Sequence, residues 1–256
     1  MRCCEVPEMR HDGRAPDQLR PVSLELGFTK FAEGSCLIRV GDTVVLCNAS
    51  VEERVPPHVT RGGWVTAEYS MLPRANRERS KRDVSKLKLA PRSAEIQRLV
   101  GRSLRAAVDL EALGERTVTI DCDVLQADGG TRTASVTGGF VALVLACRRW
   151  MDQGLLRKLP IKSCLAGVSA GIVENQAVLD LCYAEDSRAA VDLNCVLNGN
   201  GNLVEVQGTG EGRPFTLEEE RKLLDLCAKG CRELMALEKK VLGNWYESGV
   251  GQQEST

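Results

Sequence analysis

Three stretches of this 256-residue chain carry side chains suited to phosphate chemistry. The first is a concentration of positive charge. From Arg74 to Arg105 eleven basic residues stand against three acidic ones, a net of +8, so the rest of a chain of net charge −1 carries −9. Such a segment is an electrostatic footprint for phosphates, although a solvated basic loop with no ligand has the same composition. Aromatic residues are only 4% of the chain, so contact to a phosphate backbone is a better expectation than base stacking. The second stretch is Gln126-Ala-Asp-Gly-Gly-Thr-Arg-Thr-Ala134, where a strand ends, a glycine pair turns the chain and a helix follows. Backbone N–H groups at such a turn point outward together and attract anions. Thr131 adds a hydroxyl and Arg132 a guanidinium fork that matches phosphate oxygens. A plain turn with a helix cap fits the same residues. The third stretch holds Asp186 and Asp192 on either side of a short connection between strands. Two carboxylates placed there can converge on one Mg²⁺, which takes oxygen ligands and keeps waters for a phosphate substrate. The spacing also suits an Asp186 that caps a turn and an Asp192 that pairs with a nearby arginine.

Other motifs lead nowhere. Gly167-Val-Ser-Ala-Gly171 has the letters of a nucleophile elbow. The stretch after it reads as a hairpin, not the helix an elbow requires, and the only histidines, His11 and His58, precede the serine. No GxxxxGK[ST] loop is present, and the eleven cysteines show no CxxC pair or zinc spacing. Most cysteines sit in apolar runs, as small buried hydrophobes do in a reducing cytoplasm; Cys3-Cys4 and Cys227/Cys231 are the remaining redox candidates. Without a plausible histidine base, the chain suits a reaction that needs none. Inorganic phosphate is already a charged nucleophile, so positioning and charge neutralisation can suffice.

The elements that must hold these residues follow from periodicity. Strands are expected at Ser23–Phe28, then Ser35–Val40 and Thr43–Val51 around a Gly41-Asp42 hairpin turn. Trp64–Leu72 is short and extended, and 73–93 is charged and aperiodic, a loop. Ile96, Leu99, Val100, Leu104, Ala107 and Val108 share one face of a helix over Ala94–Leu113, stopped by Gly114. A strand at Thr117–Leu125 and a helix from about Ser135 to Met151 flank the Gly-Gly turn. Cys164–Val173 and Ala177–Tyr183 make a hairpin about Glu174-Asn175-Gln176, and Ala190–Leu197 pairs with Asn202–Gln207. Leu217–Val241 is a closing helix, with a frayed end after it. Hairpins dominate, so the sheet is mixed or antiparallel rather than doubly wound. With 43% hydrophobic and 27% charged residues the composition is that of a globular protein. No apolar run spans a bilayer and no signal peptide is visible, so the expectation is one domain, in the cytoplasm, away from membranes.

These residues bring a family into view. Met9-Arg-His-Asp-Gly-Arg14, Gln18-Leu-Arg-Pro21, Gly27-Phe-Thr-Lys30, Ala32-Glu-Gly-Ser35, Trp64 to Arg74, Glu95-Ile-Gln-Arg-Leu99, Asp121 to Ser135, Glu185-Asp-Ser187, Asp192 and Glu205-Val-Gln-Gly-Thr209 occur in order. Over about residues 9–240 the chain resembles the bacterial ribonuclease PH family. The resemblance implies an α/β fold of the ribonuclease PH type (ribosomal-protein-S5-domain-2-like), with a mixed sheet and packed helices. It implies a phosphorolytic 3′→5′ exoribonuclease that trims tRNA precursors and other RNA 3′ ends, releases nucleoside 5′-diphosphates and can run in reverse. Phosphate would lie at Arg92, Gly130, Thr131 and Arg132. Asp186 and Asp192 would be catalytic and hold Mg²⁺, while Arg74, Arg79 and Arg82 would hold RNA. Members form a homo-hexameric ring, a trimer of dimers. A catalytically silent ring subunit is the rival reading, and Arg92, Arg132, Asp186 and Asp192 speak against it.

The chain departs from the family pattern in places. Residues 1–8 precede the usual start, which makes Met9 a candidate initiator. The approach to Arg92 is Leu87-Lys-Leu-Ala-Pro91 where glycines are usual, and Pro91 fixes φ where glycine would be free. Cys182 stands where an acidic residue is common, and Arg188 and Ala190 replace an alanine and a glutamate. These changes bear on RNA positioning and turnover more than on the class of reaction.

Overall fold

The computed structural model describes residues 10–82 and 90–243. The expected end fraying, the Cys3-Cys4 pair and most of the altered approach to Arg92 lie outside them.

Two sheets share one apolar core. The first contains β1 (Val22–Leu26), β2 (Gly34–Val40), β3 (Thr43–Glu52), β4 (Trp64–Met71) and β5 (Thr117–Gln126), in the order β1-β2-β3-β5-β4. It is mixed, because β4 runs parallel to β5 and every other pair is antiparallel. A parallel neighbour needs a crossover, supplied by α1 (Pro91–Ala107) and α2 (Leu110–Leu113). The second sheet is antiparallel, with β6 (Leu165–Val173), β7 (Gln176–Leu179), β8 (Val191–Asn198) and β9 (Leu203–Thr209) in the order β7-β6-β8-β9. The mixed or antiparallel pairing expected from the sequence is present in both forms, a mixed sheet and a separate antiparallel one.

Helix α3 (Thr131–Asp152) packs against β2 and β3 of one sheet and β6 of the other, with apolar and small residues on nearly every side. The contact is close enough to require glycine. A Cβ at Gly34 would fall 1.9 Å from the Ala142 carbonyl oxygen, and one at Gly138 would fall 2.7 Å from the Ile38 side chain. Helix α5 (Leu217–Leu242) covers the second sheet. It starts at a reciprocal cap in which the Glu219 N–H donates to Thr216 Oγ1 and the Thr216 N–H to Glu219 Oε2.

The β2–β3 hairpin turns at Gly41-Asp42 as expected, with Gly41 at φ +55°. The β6–β7 turn is tighter than expected. Glu174 and Asn175, at φ +50° and +66°, form the whole turn, and Gln176 already pairs with Val173. Strand β7 ends at Leu179 rather than Tyr183, because Asp180 turns the chain out at φ +55°. A four-residue helix, α4 (Tyr183–Asp186), follows.

Two helix expectations are corrected. The single helix over Ala94–Leu113 is broken. Val108 is extended and bridges Ile161, Asp109 N–H donates to the Pro160 carbonyl, and Lys162 N–H donates to the Ala107 carbonyl. Asp109 then caps α2 by accepting from Ala112 N–H. The apolar period continues across the break, so the sequence pattern hides it. The front of α1 extends to Pro91, a residue suited to the first helical position. Helix α3 begins at Thr131 rather than near Ser135, directly after the glycine pair.

Candidate active site

The glycine turn is forced by both conformation and space. Gly129 and Gly130 sit at φ +76° and +66°, and a Cβ on Gly129 would lie 2.5 Å from the Leu181 carbonyl oxygen. Gly130 offers no side chain to cap the 22-residue helix α3. Such an end favours an anion. Thr131 Oγ1 lies 2.8 Å from the Tyr69 hydroxyl. Arg132 is steered from two other elements: its Nη1 donates to Gln207 Oε1 of β9 at 3.0 Å and lies 3.6 Å from Glu95 Oε1 of α1.

The two aspartates come from the other side. Asp186 ends α4 and Asp192 is the second residue of β8. Burial pushes the Asp186 carboxyl up, against the pull of Arg92 and Arg132. Asp192 is pushed up to about 6, by burial first and then by the nearby Asp186, although Arg132 and a hydrogen bond from Asn194 oppose the shift. That bond runs from Asn194 Nδ2 to Asp192 Oδ2 at 3.0 Å. Neither aspartate takes part in an ion pair among the described residues. The pairing of Asp192 with an arginine, left open by the spacing, is not formed among the described residues.

A cleft of about 330 Å³ gathers Arg92, Gly130, Thr131, Arg132, Asp186 and Asp192. All six residues expected to bind phosphate or cation therefore meet in one place. Arg74, Arg79 and Arg82 do not line the cleft. They are exposed on the segment after β4, whose Asn76 does reach it. That segment is tied down at Ala75, which accepts from the Ala127 N–H beside the glycine turn. Sequence reasoning missed Met71, Asn76, Ser169, Tyr183 and Asn194 in the cleft wall. Two were within reach of it. Asn194 follows Asp192 at the two-residue spacing that keeps side chains on one face of a strand, and Ser169 lies opposite Asn194 in the β6–β8 register. Ser169 is no elbow nucleophile. Its strand runs into a hairpin, and its Oγ accepts from Leu181 N–H.

Below the cleft lies a buried ionic network absent from the sequence expectations. Arg10, Arg14 and Arg20 are 5–7% exposed, and Asp180 and Glu185 are each 3% exposed. Arg10 grips both Glu185 oxygens, with its Nε 2.6 Å from Oε1, and donates to the carbonyls of Leu179 and Asp180. Burial tends to raise the Glu185 carboxyl, but Arg10, the Cys182 N–H and Arg14 together outweigh it and hold the group low. His11, Cys182 and Glu185 offer ligand atoms within 4.8 Å of one another. With both Glu185 oxygens held by Arg10, that group belongs to the ionic network rather than to a cation site. All nine described cysteines are free and buried; a hydrogen bond with Cys195 and then burial raise the Cys227 thiol, and burial raises the Cys231 thiol, which removes the helical pair as a ready redox site.

The arrangement is electrostatically split. Two guanidinium groups and a helix N-terminus face two unpaired carboxylates across one cleft, which suits a phosphate group next to a divalent cation. Comparisons with known proteins identify relatives of the chain. Residues 18–148 match the model of domain 1 of the 3′ exoribonuclease family, and residues 164–230 match domain 2. Ribonuclease PH of Moorella thermoacetica is 54% identical over 238 residues, 92% of this chain and 95% of that protein. Ribonuclease PH of Bacillus subtilis is 54% identical over 239 residues, 92% of this chain and 98% of that one. Among solved structures, an Archaeoglobus fulgidus exosome with RNA bound to the active site superposes with a TM-score of 0.74 at 26% identity, over 89% of this chain and 92% of that one. Rice Rrp46 superposes with a TM-score of 0.75 at 18% identity, over 91% of this chain and all of that one, and so shares the fold. Among the described residues no helix is long and apolar enough to cross a membrane.

Proposed function

The chain belongs to the 3′ exoribonuclease family of ribonuclease PH, and from that membership we propose how its cleft works. It is a phosphorolytic 3′→5′ exoribonuclease acting in tRNA processing, with inorganic phosphate as co-substrate. The observation that carries the residue assignment is the single cleft in which Arg92, the Gly130-Thr131-Arg132 turn, Asp186 and Asp192 converge.

Arg92, the N-terminus of α3 and Arg132 bind the attacking phosphate. Tyr69 fixes Thr131 beside it, and Gln207 and Glu95 fix the Arg132 fork. An oxygen of that phosphate attacks the phosphorus of the last phosphodiester. The bond from that phosphorus to the 3′-oxygen of the preceding nucleotide breaks. The 3′-oxygen takes up a proton, and a nucleoside 5′-diphosphate and an RNA one nucleotide shorter result. Both arginines stabilise the charge that spreads over the phosphoryl oxygens. One of the two aspartates, each raised by burial, is suited to protonating the departing oxygen.

The two aspartates fit Mg²⁺. Their oxygens are the donors this ion takes, and no ion pair among the described residues neutralises them. When bound, the ion would neutralise charge on the phosphate oxygens. Arg74, Arg79 and Arg82, on the exposed segment beside the cleft, are placed to hold the RNA backbone. The core shared by both sheets supports a single ribonuclease PH domain over about residues 9–240. Exosome-core relatives support a ring, here a homo-hexamer built as a trimer of dimers, and the buried free cysteines support a reducing cytoplasm.

The test is incubation of a tRNA carrying a 3′ extension with Mg²⁺, with and without phosphate, and identification of the released nucleotide. Phosphate-dependent release of diphosphates is expected. Monophosphate release without phosphate would make the enzyme a hydrolase, and binding without release would make it a silent ring subunit.

A further inference from the structure

The phosphate turn and the carboxylate segment belong to different sheets, yet both rest on one buried side chain. Arg20 Nη1 donates to the Asp128 carbonyl at 2.5 Å, and Nη2 lies 3.5 Å from the Gly129 carbonyl oxygen. The same guanidinium clasps Asp180, with Nε to Oδ2 at 3.0 Å and Nη2 to Oδ1 at 2.7 Å, while the Arg20 backbone N–H also donates to Oδ2 at 2.8 Å. The space is full: a Cβ on Gly130 would come 3.1 Å from Arg20 Nη2. Asp180 is where the chain leaves β7 in a left-handed conformation toward α4 and Asp186. That conformation is strained for an aspartate and persists only where its surroundings hold it. Here Asp180 N–H donates to the Ser169 carbonyl at 2.6 Å, and Arg10 and Arg14 donate to the Asp180 carbonyl.

A buried ion pair is weak evidence for stability, because apolar residues of similar volume often replace it without loss. A cluster of five charges under a cleft is therefore better explained by geometry than by stability. We propose that Arg20 is a positioning residue for the reaction. Its buried clasp on Asp180 and on the Asp128-Gly129 carbonyls fixes the distance between the phosphate turn and the segment bearing Asp186. The inference rests on the phosphorolytic reading and adds a residue that does not line the cleft.

The test uses the full chain with Arg20→Lys, Arg20→Met, Asp180→Asn and the double variant Arg20→Met/Asp180→Asn; asparagine removes the charge yet tolerates the left-handed backbone and keeps an acceptor for the Arg20 N–H. Melting temperature, kcat and the KM values for inorganic phosphate and RNA are measured for each. Both the methionine and the asparagine singles should be less stable, since each strands a charged partner, and the double variant should regain most of that stability. The account expects the phosphate KM to rise at least about tenfold in Arg20→Lys and in the double variant, with the RNA KM little changed. A double variant that recovers the phosphate KM along with its stability would overturn the positioning role, as would an Arg20→Lys enzyme of unaltered phosphate KM. If the unmodified chain shows no phosphate-dependent release, the functional reading itself has failed, a result distinct from either.

Discussion

Four acidic residues within thirteen positions have opposite surroundings. Asp180 and Glu185 are buried and clasped by Arg20 and by Arg10, and Glu185 is held low. Asp186 and Asp192 are partly buried in the cleft wall, unpaired, and pushed up. Glu185 and Asp186 are adjacent in sequence, yet the helical turn sends one side chain into the ionic network and the other toward substrate. The difference separates acids that hold the scaffold from acids that act. The first have had their charge answered within the chain, whereas the second keep theirs for a ligand. A fifth acid sharpens the contrast. Glu238 of α5 is 0% exposed, its two oxygens have no hydrogen-bond partner, and burial raises its carboxyl well above the usual range. It lines none of the cleft, and burial there disfavours its charged form.

The contrast breaks most visibly at Asp186. Asp186→Asn should lower kcat by roughly 10²–10⁴-fold with the melting temperature unchanged or raised, as turnover assays and thermal melts would register. Activity that survives would place Asp186 among the scaffold acids. Glu185→Gln should do the reverse. It leaves a buried Arg10 uncompensated and should cost about 3 kcal/mol of stability, read from denaturant unfolding, with activity per folded molecule reduced less than in Asp186→Asn.

The pH dependence of Asp192 follows from its value of about 6 against an ordinary 3.8. Between those two pH values the folded state binds more protons than the unfolded state, so this group's contribution to stability falls as pH rises. Holding a cation requires the ionised form. Cation-dependent activity should therefore fall as pH drops through about 6, while the cation-free protein gains stability from this group over the same range. Melts and rate profiles across pH 4–8 would check both signs, and Asp192→Asn should remove the stability trend. At Glu238 the sign is the same. Glu238→Gln should stabilise the protein at neutral pH by about 1 kcal/mol, or about 2–4 °C in Tm, with turnover untouched. The smallest effect is expected at the exposed arginines. Arg79→Ala should weaken RNA binding and reduce the slope of log affinity on log salt by about 0.7, measured by titration at several ionic strengths, with phosphate KM unchanged.

Much of the cleft was legible in the residues themselves. The Gly129-Gly130 pair before Thr131 and Arg132, and the two aspartates, are recognisable because their chemistry requires those types near one another in sequence. The β2–β3 hairpin, β5 and α5 were equally readable from alternation, a glycine turn and a helical apolar face. What stayed hidden depends on contacts distant in sequence. The break at Val108 is made by hydrogen bonds to Pro160 and Lys162, which no local pattern announces. Asp180 looks like the continuation of a strand until its φ is known. The Arg20–Asp180 clasp spans 160 positions, and its arginine sits in a segment that reads as an ordinary polar lead into β1. Tyr183 looked like a strand residue and is instead an exposed ring at the cleft mouth, 53% accessible.

The central claim is that inorganic phosphate is the attacking group in this cleft and that Asp186 serves the reaction. The most direct test supplies isotopically labelled inorganic phosphate with an unlabelled RNA and follows the label. The account predicts label in the β-phosphate of every released nucleoside diphosphate, and no such product from Asp186→Asn. Nucleotide released without label, or labelled diphosphate formed equally well by Asp186→Asn, would contradict it.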